Sequence, residues 1–285
     1  MFLSNYHSHC NFCDGRSTME DFVQFAIAKG IRKYGFSSHA PMPFLTSWTM
    51  LADDFDDYEK EFYRLKTKYS GQIELYLGLE IDFIKDCTDS GNDFFTDKKL
   101  DYSIGSIHYL DRIEGNKYWT IDGPFDEFDQ GLQLLYGGDI QVATLAFFRA
   151  TEQMIQKGGF DIIGHIDKII YHGKNYSDFD IDSTWYKNAF TYILEMVKAA
   201  GFILEINTKS LAGHGFSYPH KNFYGLIKEL GIPIMVNSDC HYPHLITAGF
   251  EETYHELYQI GFRSLQQLTD QGWKAMAFNK HGLLE

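Results

Sequence analysis

The chain has 285 residues, enough for one large domain or two ordinary ones, and its 44% hydrophobic and 16% aromatic content can form a core. Its formal net charge of −14, without any block of Lys or Arg, disfavours nucleic-acid binding, because such a surface repels phosphate backbones. No apolar run reaches the roughly 18 residues of a transmembrane helix, and no basic-then-apolar segment opens the chain. We therefore expect a soluble, cytoplasmic protein that binds neither nucleic acid nor membrane; the oligomeric state stays open.

Two of the four cysteines form a Cys10-x-x-Cys13 motif, which is the spacing of redox and zinc sites. No second pair completes a four-thiolate site. We interpret the cysteines as reduced thiols packed near the N-terminal loop. A ligand role for the pair is the alternative, because His9 and Asp14 are close in sequence.

Short apolar segments alternate with amphipathic helical patterns along most of the chain. The predicted strands are 2–6, 33–37, 73–79, 100–107, 160–164, 202–206 and 232–236. The predicted helices are 19–29, 53–69, 141–157, 185–200, 223–230 and most of 253–278, and the first should begin at a capping box formed by residues 17–20. This alternation predicts an α/β fold with a mainly parallel sheet, open or closed into a barrel, in a single domain over 1–285.

The segment 110–138 interrupts this alternation and is rich in aromatic residues and glycine. Loops of this length in a compact domain are usually functional or partly structured. We predict a lid or insertion at about 110–138; the alternative is a peripheral subdomain that only packs on the body.

Eight imidazoles and carboxylates lie at, or just after, the carboxyl ends of six predicted strands. They are His7, His9, His39, Glu80, His108, His165, Asp239 and His241. Because the carboxyl ends of parallel strands form the edge where α/β folds bind substrates, we expect these side chains to converge. A single histidine at such a position is more often structural, but eight groups on one edge indicate a site.

Neutral imidazoles and carboxylates are ligands for zinc, manganese and iron. One ion takes three or four protein ligands, so this many donors indicates at least two ions. Glu80 could bridge a pair roughly 3.5–4 Å apart. Such pairs deprotonate water and hold the oxygens of an in-line displacement at phosphorus. Phosphoester hydrolysis is the predicted reaction, with amide or amidine hydrolysis second and a non-catalytic, metal-stabilised barrel as a further alternative.

The motifs that carry these groups resemble a known family over nearly the whole chain. In order they are Y-H-S-H, D-G, S-S-H-A-P, G-L-E-I-D, G-S-I-H-Y, G-H-I-D, E-I-N-T and N-S-D-C-H. Together they resemble the polymerase-and-histidinol-phosphatase (PHP) superfamily, most closely its stand-alone histidinol-phosphate phosphatases. The resemblance implies a distorted seven-stranded, TIM-like (β/α) barrel with three divalent ions (Zn, Mn or Fe). It also implies hydrolysis of L-histidinol phosphate to L-histidinol and phosphate, a step of histidine biosynthesis.

The resemblance further implies how the ligands are shared among the ions. One ion would be held by His7, His9, Glu80 and Asp239; a second would share Glu80 and add His108 and His165; the third would take His39, His241 and a residue of the loop after His9. Many relatives have a histidine in that loop, and Asp14 is the ionised candidate here. A hydroxide bridging the ions that share Glu80 would attack the phosphate, with Asp239 and His241 as candidates for proton transfer to the leaving alcohol.

The strong basic residues expected after G-H-x-D and E-x-N-T are displaced in this chain. Lys168 and Lys209 are the candidates for substrate binding through the phosphate, with solvated lysines as the alternative. The predicted partner is a small phosphorylated substrate. A phosphotyrosine protein or a small sugar or nucleotide phosphate is the alternative to histidinol phosphate.

Overall fold

A parallel sheet forms the centre of the molecule in the computed structural model, which describes residues 1–114 and 117–284. The sheet order is β1-β2-β3-β4-β7-β8-β9, and all neighbouring strands are parallel. These strands are β1 Leu3–Asn5, β2 Ile31–Phe36, β3 Glu74–Asp82, β4 Tyr102–Ser106, β7 Ile162–Ile163, β8 Ile203–Asn207 and β9 Ile234–Asn237. All seven overlap the predicted strands, with ends that differ by up to three residues.

Side chains join the first strand to the last. The Tyr6 N–H donates to Asn237 Oδ1 at 2.8 Å, and Asn5 Nδ2 donates to Ser238 Oγ at 2.7 Å. The sheet is therefore a nearly closed barrel, and the predicted seven-stranded (β/α) barrel is confirmed.

Helices surround the barrel. They are α1 Met19–Ala28, α2 Phe55–Lys68, α3 Asp93–Thr96, α4 Phe125–Tyr136, α5 Ile140–Lys157, α6 Ile170–Gly173, α7 Thr184–Ala200, α8 Leu211–His214, α9 Tyr224–Leu230 and α10 Phe250–Ile260, with 3₁₀ turns at 52–54, 221–223 and 243–245. Within the described ranges, none of these helices combines the length and the apolar character needed to cross a bilayer.

The capping box of α1 lies one residue later than predicted. Thr18 is the N-cap: the Asp21 N–H donates to Thr18 Oγ1 at 3.2 Å, and the Thr18 N–H donates to Asp21 Oδ2 at 3.1 Å. Glu20, the predicted partner of Ser17, instead accepts a hydrogen bond from Arg64 of α2 at 2.6 Å. The prediction was wrong because a long-range ion pair takes the Glu20 side chain.

The C-terminal segment is helical only in its first part, so the prediction for 253–278 was wrong beyond residue 260. Antiparallel strands β10 Ser264–Thr269, β11 Gly272–Asn279 and β12 Gly282–Leu283 follow α10. Both faces of β10 are partly covered: Leu265 joins the main core, whereas Leu268 packs with Tyr6 and Tyr102 of the barrel. Buried leucines on opposite faces fall three residues apart, a spacing that also fits a helix.

The segment 110–138 contains a hairpin and a helix. Strands β5 Tyr109–Glu114 and β6 Lys117–Thr120 pair antiparallel, and α4 follows them. Trp119 is buried, and its indole N–H donates to the Phe128 carbonyl at 3.1 Å. Trp119 and Phe128 belong to the main hydrophobic core, so the segment packs on the body through its own apolar residues, and movement as a lid stays a prediction.

Candidate metal centre

The carboxyl edge of the barrel brings together all eight predicted imidazole and carboxylate groups. His7 and His9 follow β1, His39 follows β2, and Glu80 lies within β3. The others come directly after β4, β7 and β9: His108, His165, Asp239 and His241. All are buried except His241, which is partly buried. The positional argument from the sequence thus describes a real cluster.

Glu80 lies at the centre of this cluster. Its Oε2 is 3.2 Å from His7 Nε2 and 2.9 Å from His39 Nδ1. Its Oε1 is 2.8 Å from His165 Nε2 and 3.7 Å from His108 Nε2. Burial alone would raise the pKa of Glu80, but the surrounding imidazoles hold it well below its usual value. An ionised carboxylate therefore separates two groups of histidines, as a bridging ligand would.

Asp14 lies at one end of the cluster. Its Oδ1 is 3.2 Å from His241 Nε2 and 3.8 Å from His39 Nε2. Donor atoms of these three residues and of His9 all lie within 4.8 Å of one another. The loop after His9 thus places Asp14 beside the two histidines with which the family pattern groups it.

Asp239 contacts the cluster from the loop after β9. Its Oδ1 is 3.1 Å from His9 Nε2 and 3.7 Å from His7 Nε2. Its backbone φ of 47° lies in the left-handed region, which costs a non-glycine residue about 1–3 kcal/mol. Such strained residues concentrate at functional sites.

Carboxylates behind the cluster orient its imidazoles. His7 Nδ1 donates to Glu205 Oε1 at 2.6 Å, and His108 Nδ1 donates to Asp82 Oδ1 at 3.0 Å. Nε2 of each ring is thereby directed toward Glu80, where it could bind a metal ion. Carboxylate support of this kind is typical of metal-bound histidines.

Glu205 and Asp82 were missed in the sequence analysis. Glu205 is fully buried and also accepts a hydrogen bond from the His165 N–H at 2.9 Å. Asp82 lies two residues after Glu80 in β3, so its side chain points to the same face. The two-residue period of the strands is the signal that could have identified it.

Both predicted lysines lie at the cluster. Lys168 is buried, with Nζ 2.9 Å from Asp122 Oδ2 and 3.2 Å from His108 Nε2. Burial would lower the pKa of Lys168, but Asp122 and other carboxylates keep it above its usual value. Lys209 is partly exposed, with Nζ 3.0 Å from Asp239 Oδ1. Lys168 is therefore not a solvated surface lysine, whereas Lys209 keeps an exposed side chain beside Asp239.

A cavity of 320 Å³ opens beside His241. Its lining includes Asp14, Arg16, Lys209 and Tyr242. Arg16 was missed in the sequence analysis, although it lies only two positions after Asp14. Its main-chain N–H donates to the His241 carbonyl at 2.7 Å, which fixes the loop after β1 against the loop after β9.

The described cysteines are free thiols. Burial raises the pKa of Cys10 to about 11, which favours its protonated form. Cys13 Sγ lies 3.7 Å from His9 Nδ1. Within residues 1–114 and 117–284, the donor groups that could hold a metal contain no cysteine, which supports the interpretation as packed thiols.

The sequence as a whole was then compared with known families and proteins. Residues 5–209 match the model of the PHP domain. The chain belongs to the PHP domain family. A Deinococcus radiodurans protein named "Probable histidinol-phosphatase" is 28% identical over 280 residues, covering 92% of this chain and 95% of that protein. The Bacillus subtilis histidinol-phosphatase is 27% identical over 252 residues, covering 82% and 92%.

Crystal structures share the architecture of this PHP domain. A Listeria monocytogenes chain, whose description proposes a histidinol phosphatase, matches with a TM-score of 0.80 and 26% identity, over 88% of this chain and 99% of that one. The Lactococcus lactis histidinol phosphate phosphatase, complexed with zinc, L-histidinol and phosphate, matches with a TM-score of 0.71 over 99% of both chains. At 20% identity the second likeness supports the fold alone.

Buried polar atoms of this PHP domain lack hydrogen-bond partners among the described residues. They include His7 Nε2, His9 Nε2, Asp14 Oδ1, His39 Nδ1 and Glu80 Oε2. Native proteins keep few buried polar atoms without a hydrogen bond, and the ion-pair contacts described above do not supply one; a bound ion would satisfy these atoms. The residues that carry these atoms belong to four overlapping groups of three or four potential ligands. Divalent metal ions fit this donor set.

Proposed function

We propose that this PHP domain hydrolyses L-histidinol phosphate to L-histidinol and phosphate, with divalent metal ions as cofactors. The cluster of buried, unpartnered imidazole and carboxylate atoms around Glu80 carries the proposal. The names of the Deinococcus radiodurans and Bacillus subtilis relatives, matched over most of their length, support the substrate.

The cluster has enough donors for three ions. The proposed ligands are His7, His9, Glu80 and Asp239 for the first; Glu80, His108 and His165 for the second; and Asp14, His39 and His241 for the third. When bound, zinc, manganese or iron ions polarise phosphate oxygens and lower the pKa of water enough to supply a nucleophile at neutral pH.

The residues behind the cluster keep the ligands in position. Glu205 and Asp82 hold His7 and His108 with their Nε2 atoms directed inward, so the rings need not reorient when an ion binds. The hydrogen bond from Ser106 Oγ to Glu80 Oε1 at 2.6 Å fixes the central carboxylate in the same way.

Lys168 and Lys209 bind the phosphate in this proposal. A phosphate monoester carries up to two negative charges, and the chain as a whole repels it with a net charge of −14. The two ammonium groups provide positive charge at the cluster itself, and their hydrogen bonds to phosphate are charge-assisted. Asp122 positions Lys168 by accepting one of its hydrogen bonds, and Arg16 adds positive charge to the cavity.

Asp239 and His241, which are also proposed metal ligands, are the candidates to assist proton transfer to the leaving alcohol. Both line the cavity beside the cluster, and His241 is partly exposed, so a proton can reach it from solvent. The His241 ring is oriented by its Nδ1, which lies 3.1 Å from the main-chain oxygen of Asp239.

Elemental analysis combined with a substrate panel tests the proposal. We expect at least two ions per chain, and a kcat/KM for L-histidinol phosphate that exceeds those for phosphotyrosine and nucleotide monophosphates. A preference for phosphotyrosine or for a sugar or nucleotide phosphate would move the assignment to the alternative substrates. Metal-replete protein without turnover of any monoester would favour a structural role for the ions.

A further inference from the structure

An aromatic wall adjoins the cluster on the side of His39 and His108. It consists of Phe44, Trp48, Tyr109 and Tyr118. The Trp48 ring lies 4.6 Å from the His39 ring and 5.4 Å from the His108 ring, edge-to-face in both cases. A large flat side chain therefore contacts two of the proposed metal ligands directly.

Specific contacts hold Trp48, which is not among the buried residues of the core. Its indole N–H donates to Tyr109 Oη at 3.1 Å, and the two rings stack at 5.5 Å and 24°. The surrounding segment 41–51 is described without helix or strand, and Trp48 itself is half-buried. An indole that is fixed against ligands yet reaches solvent is placed to meet a bound molecule.

The inner end of the aromatic wall is the part that a substrate can contact. Phe44 stacks on Tyr118 at 5.3 Å at the outer end, and the Arg112 guanidinium covers the Tyr118 ring at 5.2 Å. Trp48, at the inner end, lies next to the ligands instead. A monoester whose phosphate is bound on the His39 and His108 side of the cluster would have its organic part within reach of Trp48.

We propose that Trp48 is a specificity-determining residue that contacts the alcohol portion of the monoester and selects flat aromatic groups, such as the imidazole ring of histidinol. This inference rests on the proposed function for the identity of that alcohol. The electron-rich face of an indole attracts aromatic rings by stacking and protonated rings by cation–π interaction. Such contacts correspond to roughly 2- to 30-fold in affinity.

The alternative role for Trp48 is to exclude water from His39 and His108. In that case removal of the indole would weaken metal retention and would affect all substrates equally. A contact to the leaving group acts on ring-bearing ligands and leaves phosphate binding unchanged. Comparison of ligands with and without a ring separates the two roles.

Trp48→Leu and the matched control Trp48→Phe, made in the full chain, provide the test. We expect Trp48→Leu to weaken L-histidinol binding, measured by calorimetry on the metal-replete protein, by roughly 2- to 30-fold. The kcat/KM for phenyl phosphate should fall by a similar factor.

Inhibition by inorganic phosphate, turnover of glycerol 2-phosphate and metal content should stay unchanged. Trp48→Phe should recover most of the loss. Each substrate is compared with itself, so differences in intrinsic reactivity cancel.

Two outcomes would overturn the role of Trp48: an unchanged L-histidinol affinity in Trp48→Leu, or an equal loss for ring-bearing and aliphatic ligands accompanied by loss of metal. The proposed function fails separately. If the wild type does not hydrolyse L-histidinol phosphate but Trp48→Leu lowers the kcat/KM for phenyl phosphate, the proposed substrate is refuted and the aromatic selectivity of Trp48 stands. If the wild type hydrolyses L-histidinol phosphate and Trp48→Leu changes neither binding nor turnover, the proposed substrate stands and the role of Trp48 is refuted.

Discussion

Replacement of Glu205 by Gln tests whether the buried hydrogen bonds behind His7 orient its ring for metal binding. Each carboxylate oxygen of Glu205 accepts two hydrogen bonds. Oε1 accepts from His7 Nδ1 at 2.6 Å and from Asn237 Nδ2 at 3.0 Å. Oε2 accepts from the His165 N–H at 2.9 Å and from Asn207 Nδ2 at 3.0 Å. All four donors are buried, so none can turn to water.

A Gln side chain has one oxygen, so two of these four donors would face an NH₂ group. Each unsatisfied buried donor costs about 1–3 kcal/mol, which gives a loss of about 2–6 kcal/mol in the free energy of unfolding. If the NH₂ group faces His7, the ring must accept at Nδ1 and carry its proton on Nε2. That tautomer removes a lone pair from the cluster, and losses of such support typically cost about 10–100-fold in metal affinity.

Urea unfolding and zinc competition against a chromophoric chelator measure these two effects. Glu205→Asp is the matched control, because it keeps four acceptor sites on a shorter side chain and should be affected less than Glu205→Gln. A Glu205→Gln protein that binds zinc and unfolds like the wild type would refute the argument that the hydrogen-bond polarity of Glu205 orients His7.

Three further substitutions separate the ligands, the phosphate site and the fold. Glu80→Gln should lose bound metal and nearly all turnover, because the neutral amide cannot bridge two ions; intact metal content with a normal rate would contradict the bridging role. Lys168→Met should weaken inhibition by inorganic phosphate by about 10–100-fold, whereas Lys168→Arg keeps most of the affinity; equal values for both variants would exclude a charge contact. Leu268→Ala, below the barrel, should lower the free energy of unfolding by about 2–5 kcal/mol without changing kcat, and a selective loss of kcat would contradict a purely structural role.

The parallel sheet and the cluster could be predicted because both depend on a repeated local pattern, whereas closure of the sheet into a barrel was implied only by the family resemblance. Each strand is a short apolar run, and His39, His108 and His165 come directly after one. Parallel strands then gather these groups at one edge irrespective of helix packing or loop geometry. A positional rule that needs no tertiary detail was sufficient for that part of the molecule.

Features that depend on long-range contacts were not accessible in the same way. Glu20 could not be assigned to Arg64, 44 positions later, from the local capping pattern. Leu265 and Leu268 fit a helix until β10 is seen to be covered on both faces. Trp48 lies in a segment without regular structure, and no periodicity relates it to His39. In each case the decisive partner is distant in sequence or irregular in geometry.

The seam between the first and last barrel strands has a consequence for the biogenesis of the protein. Asn5 contacts Ser238 there, and the neighbouring His7 and Asp239 belong to the same proposed ligand set. During translation the histidine leaves the ribosome long before the aspartate, so a nascent chain can offer only an incomplete set of donors. If the proposed ligand set is right, the complete set of ions can be bound only after β9 and the loop that follows it have been synthesised.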